Sequence, residues 1–112
     1  MSIDRRQHNR ISVPWPARVG KKGLGIANAQ LQDVSLGGLF LETTLAIEAG
    51  DHVLLEMQAT IGGQPQRILA EGKIMRKETR PDGFGYGIQF TRISDAAVQQ
   101  LLTLIANQWQ PS

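Results

Sequence analysis

The chain contains no cysteine, which removes disulfides, thiolate nucleophiles and thiolate metal ligands together. That absence suits a cytoplasmic location, which is the location expected. The two histidines, His8 and His52, stand far apart with no partner at metal-ligand spacing and no clustered carboxylates beside them. No metal site is expected. Phe, Trp and Tyr make up 5% of the residues, too few and too scattered for a platform that stacks single-stranded bases, so neither DNA nor RNA is expected as a partner. No apolar run approaches the roughly 18 residues that span a bilayer, and Met1–Ile11 lacks the apolar centre of a secretory signal. Membrane insertion is not expected. None of the serines lies in a nucleophile elbow or beside an evident base, and no general acid–base pair can be assembled. The chain is therefore not expected to be an enzyme.

What is present describes one ordinary domain. A chain of 112 residues, 41% hydrophobic and 20% charged, can bury a single modest core. Net charge is only +2, but it is unevenly placed: Arg5, Arg6, Arg10, Arg18, Lys21 and Lys22 face one acid, Asp4, within the first 22 residues. The remainder is net acidic. Positive charge is thus an N-terminal feature, usable against phosphate.

Apart from Met1, residues 1–10 hold one large apolar side chain, Ile3, and read as a flexible basic arm. The folded domain is expected over 11–112. Pro14 and Pro16 each remove a backbone donor, so Ile11–Val19 is expected to be an edge or irregular strand, with Trp15 as its anchor in the core. A turn follows at Gly20–Gly25, then an extended run to about Ser35, in which Leu31, Asp33 and Ser35 share one parity and so one face. Gly37-Gly38 permits a sharp turn. Leu39–Leu41, Asp51–Ile61, Gln66–Glu78 and Gly83–Phe90 read as further strands, with hairpin chemistry at Gly62-Gly63 and turn chemistry at Arg80–Gly83. The three alternating glycines 83, 85 and 87 strip one face of the last strand, which is read as structural because the G-x-G-x-x-G spacing is missing. Ser94 caps a closing helix over about 94–109, with Val98, Leu101, Leu102, Ile105 and Trp109 on its apolar face. Five or six short strands joined by tight turns, then one helix, predict a mainly all-β fold: a compact antiparallel β-barrel with a C-terminal α-helix.

Two stretches carry candidate chemistry. Arg5, Arg6 and Arg10 read either as a solvated tail or as a ligand clamp. An arginine fork pairs with O6 and N7 of guanine, binds phosphate oxygens and stacks on bases, and a four-residue spacing puts Arg6 and Arg10 on one side of a turn of helix. Asp33, Ser35, Gly37 and Gly38 read either as a strand end and its turn or as the other half of a site. In the second reading the carboxylate accepts from guanine N1–H and N2–H, the hydroxyl serves phosphate or base, and the bare glycine backbone lets a ligand lie close. Asp33 would also hold the arginine arm nearby when no ligand is bound.

Arg6-x-x-x-Arg10 followed by Asp33-x-Ser35-x-x-Gly38 resembles the paired motifs of the PilZ domain family. Gly85–Phe90 resembles that family's last glycine-containing strand before its helix, and the likeness runs from about Arg5 to Trp109. The resemblance implies a six-stranded antiparallel β-barrel with a C-terminal α-helix and a receptor for cyclic di-GMP, with Arg6 and Arg10 clamping guanine and phosphate and with Asp33, Ser35 and Gly38 receiving the other guanine edge. Arg5 adds a cation that would favour two stacked ligand molecules. Binding would order residues 1–10 on the barrel, a change that a partner reads. With no second domain read in the chain, output is expected through an effector protein of motility, biofilm or exopolysaccharide systems. The alternative is a PilZ-like protein-interaction module that acts without nucleotide.

Overall fold

A computed structural model of the chain describes residues 10–108. Its elements in order are β1 (Ile11–Ser12), β2 (Pro16–Lys21), β3 (Gly25–Val34), β4 (Gly38–Thr43), β5 (His52–Ile61), β6 (Gln64–Arg80), β7 (Gly83–Ile93) and α1 (Asp95–Gln108). Six strands form a closed antiparallel barrel in the order β3-β2-β5-β6-β7-β4, with β4 pairing back onto β3. The two-residue β1 extends this sheet at the far end of β3, where Ile11 faces Val34 and Ser12 faces Asp33. The barrel and closing helix expected from the sequence are the architecture observed. Residues 1–9 of the expected arm and Trp109 lie outside the described residues.

Alternation builds the interior. Val19, Leu31, Leu41, Leu55, Met57, Ile68, Ile74 and Ile88 point inward and are all but solvent-free, and each contributes about 1.5–3 kcal/mol of burial. The buried Tyr86 hydroxyl accepts from the Ile47 N–H at 2.8 Å and donates to the Leu45 carbonyl at 2.7 Å. It thereby pins the loop after β4 over the core. At the β5–β6 turn Gly62 and Gly63 have φ of 61° and 78°, the doubly left-handed backbone of a two-residue hairpin. Among the described residues no helix is long and apolar enough to cross a membrane.

Three local expectations have their outcome in the structure. Of the edge or irregular strand expected over Ile11–Val19, the irregular form is observed. Val13–Trp15 breaks it, and β2 then runs between β3 and β5. Pro16 is tolerated because it opens β2 and pairs only toward β3, while pairing to β5 begins at Ala17. Second, Leu31, Asp33 and Ser35 do not share a face. A bulge at Gln32 shifts the register, so that Leu31 is fully buried while Asp33 turns outward. Third, the helix buries Ala97, Leu101 and Leu104 against the barrel and leaves Leu102 exposed. Its N-terminus is capped as expected, the Ser94 hydroxyl accepting from the Ala97 N–H at 3.1 Å. Packing against β5 and a 2.6 Å hydrogen bond from Gln100 to Gln66 set its rotation.

Candidate functional site

The turn after β3 is built from its own polar groups. The Ser35 N–H donates to the Gly38 carbonyl at 2.8 Å, and its hydroxyl accepts from the Gly37 N–H at 3.2 Å. The same hydroxyl donates to the Gly38 carbonyl at 3.3 Å. Ser35 is 2% exposed, so the side chain closes the turn rather than lining the outer wall. A Cβ on Gly38 would overlap the Ile88 carbonyl oxygen of β7; glycine is required there for strands to meet. Gly37 is partly exposed, and its carbonyl accepts from the Phe90 N–H at 2.9 Å. The expectation that Asp33 and Ser35 stand on one face is thus replaced by a division of labour. The serine and glycines hold the turn, and Asp33 points out beside it.

Asp33 meets the basic arm. Arg10 Nη1 donates to Asp33 Oδ1 at 2.7 Å, with the two side chains 50% and 30% exposed. This half-solvated pair contributes little stability of its own and leaves the carboxylate reachable. The structure therefore brings Arg10 to Asp33. Arg5 and Arg6 lie outside the described residues.

Register then extends the wall beyond the predicted residues. Asp33 lies opposite Phe40 on β4, Phe40 opposite Gly87 on β7, and Gly87 opposite Arg76 on β6. Three strand spacings, about 14 Å, separate the ends of this row. Phe40 points outward between the inward Leu39 and Leu41, yet it is only 6% exposed. The Arg76 and Arg80 guanidinium carbons stand 5.5 and 5.3 Å from its ring centroid. The glycine face of β7 makes room for the ring. A Cβ on Gly85 would come 2.7 Å from Phe40 Cζ, whereas one on Gly87 would find its nearest neighbour at 3.6 Å. Gly87 is consequently bare floor between Phe40 and Arg76. Arg80 is bonded to Glu42 and Glu78; hydrogen bonding to Glu78, then the charge of Glu42, raises its pKa against partial desolvation. Arg76 is 66% exposed and touches Glu78 at 3.3 Å.

Phe40, Arg76 and Gly87 were not singled out from the sequence as site residues. One signal was available: an aromatic at the outward position of an apolar strand. Its alignment with Asp33 depends on register across four strands. Further along the same wall, a cavity of about 580 Å³ opens between Gln30, Glu42, Arg80 and the Pro81–Phe84 turn. Its arginine is already paired with Glu42, so it offers an anion little.

The family model for the PilZ domain matches residues 4–107. The chain belongs to the PilZ domain family. The match takes in both Arg6-x-x-x-Arg10 and Asp33-x-Ser35-x-x-Gly38. Solved structures superpose on the barrel: the Bacillus subtilis inhibitor of motility MotI/DgrA has a TM-score of 0.78 at 18% identity, covering 95% of this chain and 52% of that one. This chain therefore spans about half the length of the Bacillus protein. The PilZ domain of Escherichia coli YcgR, solved with c-di-GMP, has a TM-score of 0.70 at 20% identity, covering 93% and 91%. The PilZ domain of CeSA from a cellulose-synthesizing bacterium has a TM-score of 0.62 at 16% identity, covering 88% and 96%. At such identities the likeness is one of fold. No curated protein matches in sequence.

Proposed function

We propose that this PilZ domain is a non-enzymatic, cytoplasmic receptor for cyclic di-GMP that signals through a partner protein. The observation that carries the reading is the Arg10–Asp33 pair at 2.7 Å on an open wall. It sets a guanidinium fork and a carboxylate side by side, the two groups that read opposite edges of guanine. The c-di-GMP held by the YcgR PilZ domain is consistent with it.

In this reading the ligand exchanges partners. Asp33 releases Arg10 and accepts from guanine N1–H and N2–H, while Arg10 and Arg6 turn to guanine N7 and O6 and to phosphate. Arg5 supplies further positive charge. Ser35, Gly37 and Gly38 keep the turn rigid, and the partly exposed Gly37, which has no side chain, lets the ligand lie close. The Phe40–Gly87–Arg76 floor extends under the second half of the ligand, where Arg76 offsets phosphate charge. Folding of residues 1–10 onto the ligand changes the surface that an effector of motility, biofilm or exopolysaccharide systems meets.

Calorimetry with cyclic di-GMP tests the assignment. Arg6→Ala and Arg10→Ala should each lower affinity by about a hundredfold or more, the loss expected for a buried charge-assisted contact, with circular dichroism unchanged. Unaltered affinity in both variants would refute the site. Wild-type protein that gives no heat with cyclic di-GMP would leave the nucleotide-independent interaction module.

A further inference from the structure

A second surface lies on the opposite wall of the barrel. Strand register lines up Ile26 on β3, Gly20 on β2, Leu54 on β5, Glu71 on β6 and Arg92 on β7, and Leu69 stands one row on, opposite Glu56. These are outward positions, where a half-solvated antiparallel sheet carries polar residues. Arg18, Glu56, Glu71 and Arg92 obey that rule. Ile26, Leu54 and Leu69 do not, and they are 72%, 63% and 55% exposed. Singly, such residues are ordinary; grouped across β3, β5 and β6, with only Gly20 of β2 between Ile26 and Leu54, they form a patch.

The patch also has relief. Gly20 contributes no side chain between Ile26 and Leu54, which leaves a groove of about 500 Å³ edged by Lys22 and His52. A second hollow of about 430 Å³ lies on the other side of Leu54, bordered by Leu69 and Arg92. Leu54 is a ridge between two grooves, each large enough to receive a bulky side chain.

Charge around the grooves selects the occupant. Every acid there is already engaged: Asp51 with Lys21 at 3.9 Å, Glu71 with Arg92 at 3.6 Å, and Glu56 with Arg18 at 2.8 Å and Arg67 at 3.5 Å. Lys22, on the groove edge, and Lys73, in register with His52, have no acid partner among the described residues. The surplus is positive. A second copy of this chain would bring like charges together, and a planar lipid surface would bridge over the hollows that flank Leu54.

The geometry points to this wall as the docking surface for a protein segment that presents aliphatic or aromatic anchors flanked by Asp or Glu. This rests on the adaptor half of the proposed function and not on its nucleotide half. The β2–β5–β6 wall stands across the barrel from the Asp33 turn, so one molecule can hold ligand and partner together.

Selection of a phage-displayed random peptide library on the full chain tests it, with counter-selection on an Ile26→Ser/Leu54→Ser variant. Both residues are exposed, so the variant keeps the fold, and its cyclic di-GMP affinity is measured alongside to separate this surface from the nucleotide site. Enriched peptides should pair apolar anchors with acidic flanks and shift the amide resonances of Gly20–Ile26, His52–Leu54 and Leu69–Glu71. They should weaken about tenfold or more on the serine variant and on Lys22→Glu/Lys73→Glu. Enrichment equal on the variant, peptides without acidic flanks, or shifts confined to other strands would overturn the proposal. So would Leu54-dependent dimerisation in sedimentation, or Leu54-dependent binding to phosphatidylglycerol vesicles in place of peptide binding.

Discussion

Gly38 and Gly87 are both glycines on the strands that carry the site, and their neighbours give them opposite roles. A Cβ at Gly38 would overlap the Ile88 carbonyl, backbone that cannot turn aside, whereas at Gly87 the nearest atom would be 3.6 Å away. Gly38→Ala should cost about 1–3 kcal/mol or more in urea unfolding through overpacking. Gly87→Ala should leave the unfolding midpoint within about 0.5 kcal/mol of wild type. Its methyl would nonetheless rise from the floor between Phe40 and Arg76, and cyclic di-GMP affinity in calorimetry should fall about tenfold. A stable Gly87→Ala protein with wild-type affinity would show that the ligand does not reach this floor. At this scale the sequence showed residue types and spacing: Asp33 as a partner for the arginine arm, and Gly38 as bare backbone, read there as space for a ligand where the structure uses it for the approach of β7. It did not show why. The glycine answers to the strand opposite, and the Ser35 hydroxyl is engaged inside its own turn.

At the scale of elements, periodicity found every barrel strand but placed some faces wrongly. The helix shows the reason. Leu101 and Leu102 are adjacent, and either leucine fits an apolar stripe, so sequence alone assigned both to the core. Docking on β5 buries Leu101 completely and leaves Leu102 39% exposed. Leu101→Ala should cost about 2–5 kcal/mol in denaturant unfolding, and Leu102→Ala within about 0.5 kcal/mol. Comparable losses in the two would mean that the helix is rotated from the orientation described. The parity of β3 failed for a related reason. One extra residue, Gln32, lets Leu31 stay in the core while Asp33 reaches the surface, and nothing local marks a bulge whose cause is the pairing with β4.

For the whole molecule, closure of the sheet joins residues that are distant in the chain, and some of these joints titrate. Glu56 on β5 accepts from Arg18 on β2 at 2.8 Å and meets Arg67 on β6 at 3.5 Å, with 11% of its side chain exposed. The hydrogen bond from Arg18 lowers the Glu56 pKa below its ordinary 4.5; desolvation opposes this, and the two guanidinium charges add to the lowering. A depressed carboxylate contributes stability above its unfolded pKa and loses it as pH falls through the folded value. Wild type should therefore exceed Glu56→Gln in thermal stability at pH 6–7, and the gap should narrow progressively below about pH 4.5. A gap that stays constant to pH 3 would remove the pair from the account. Composition, the missing cysteine, the placement of turns and the two ordered motifs were determined by the sequence itself, because each depends on residue type and on separation along the chain. Tertiary structure decided what depends on register between strands: the row from Asp33 to Arg76, the inward serine, the helix face and the apolar wall around Leu54. A linear sequence records which side chains alternate. Closure of the barrel determines which of them become neighbours.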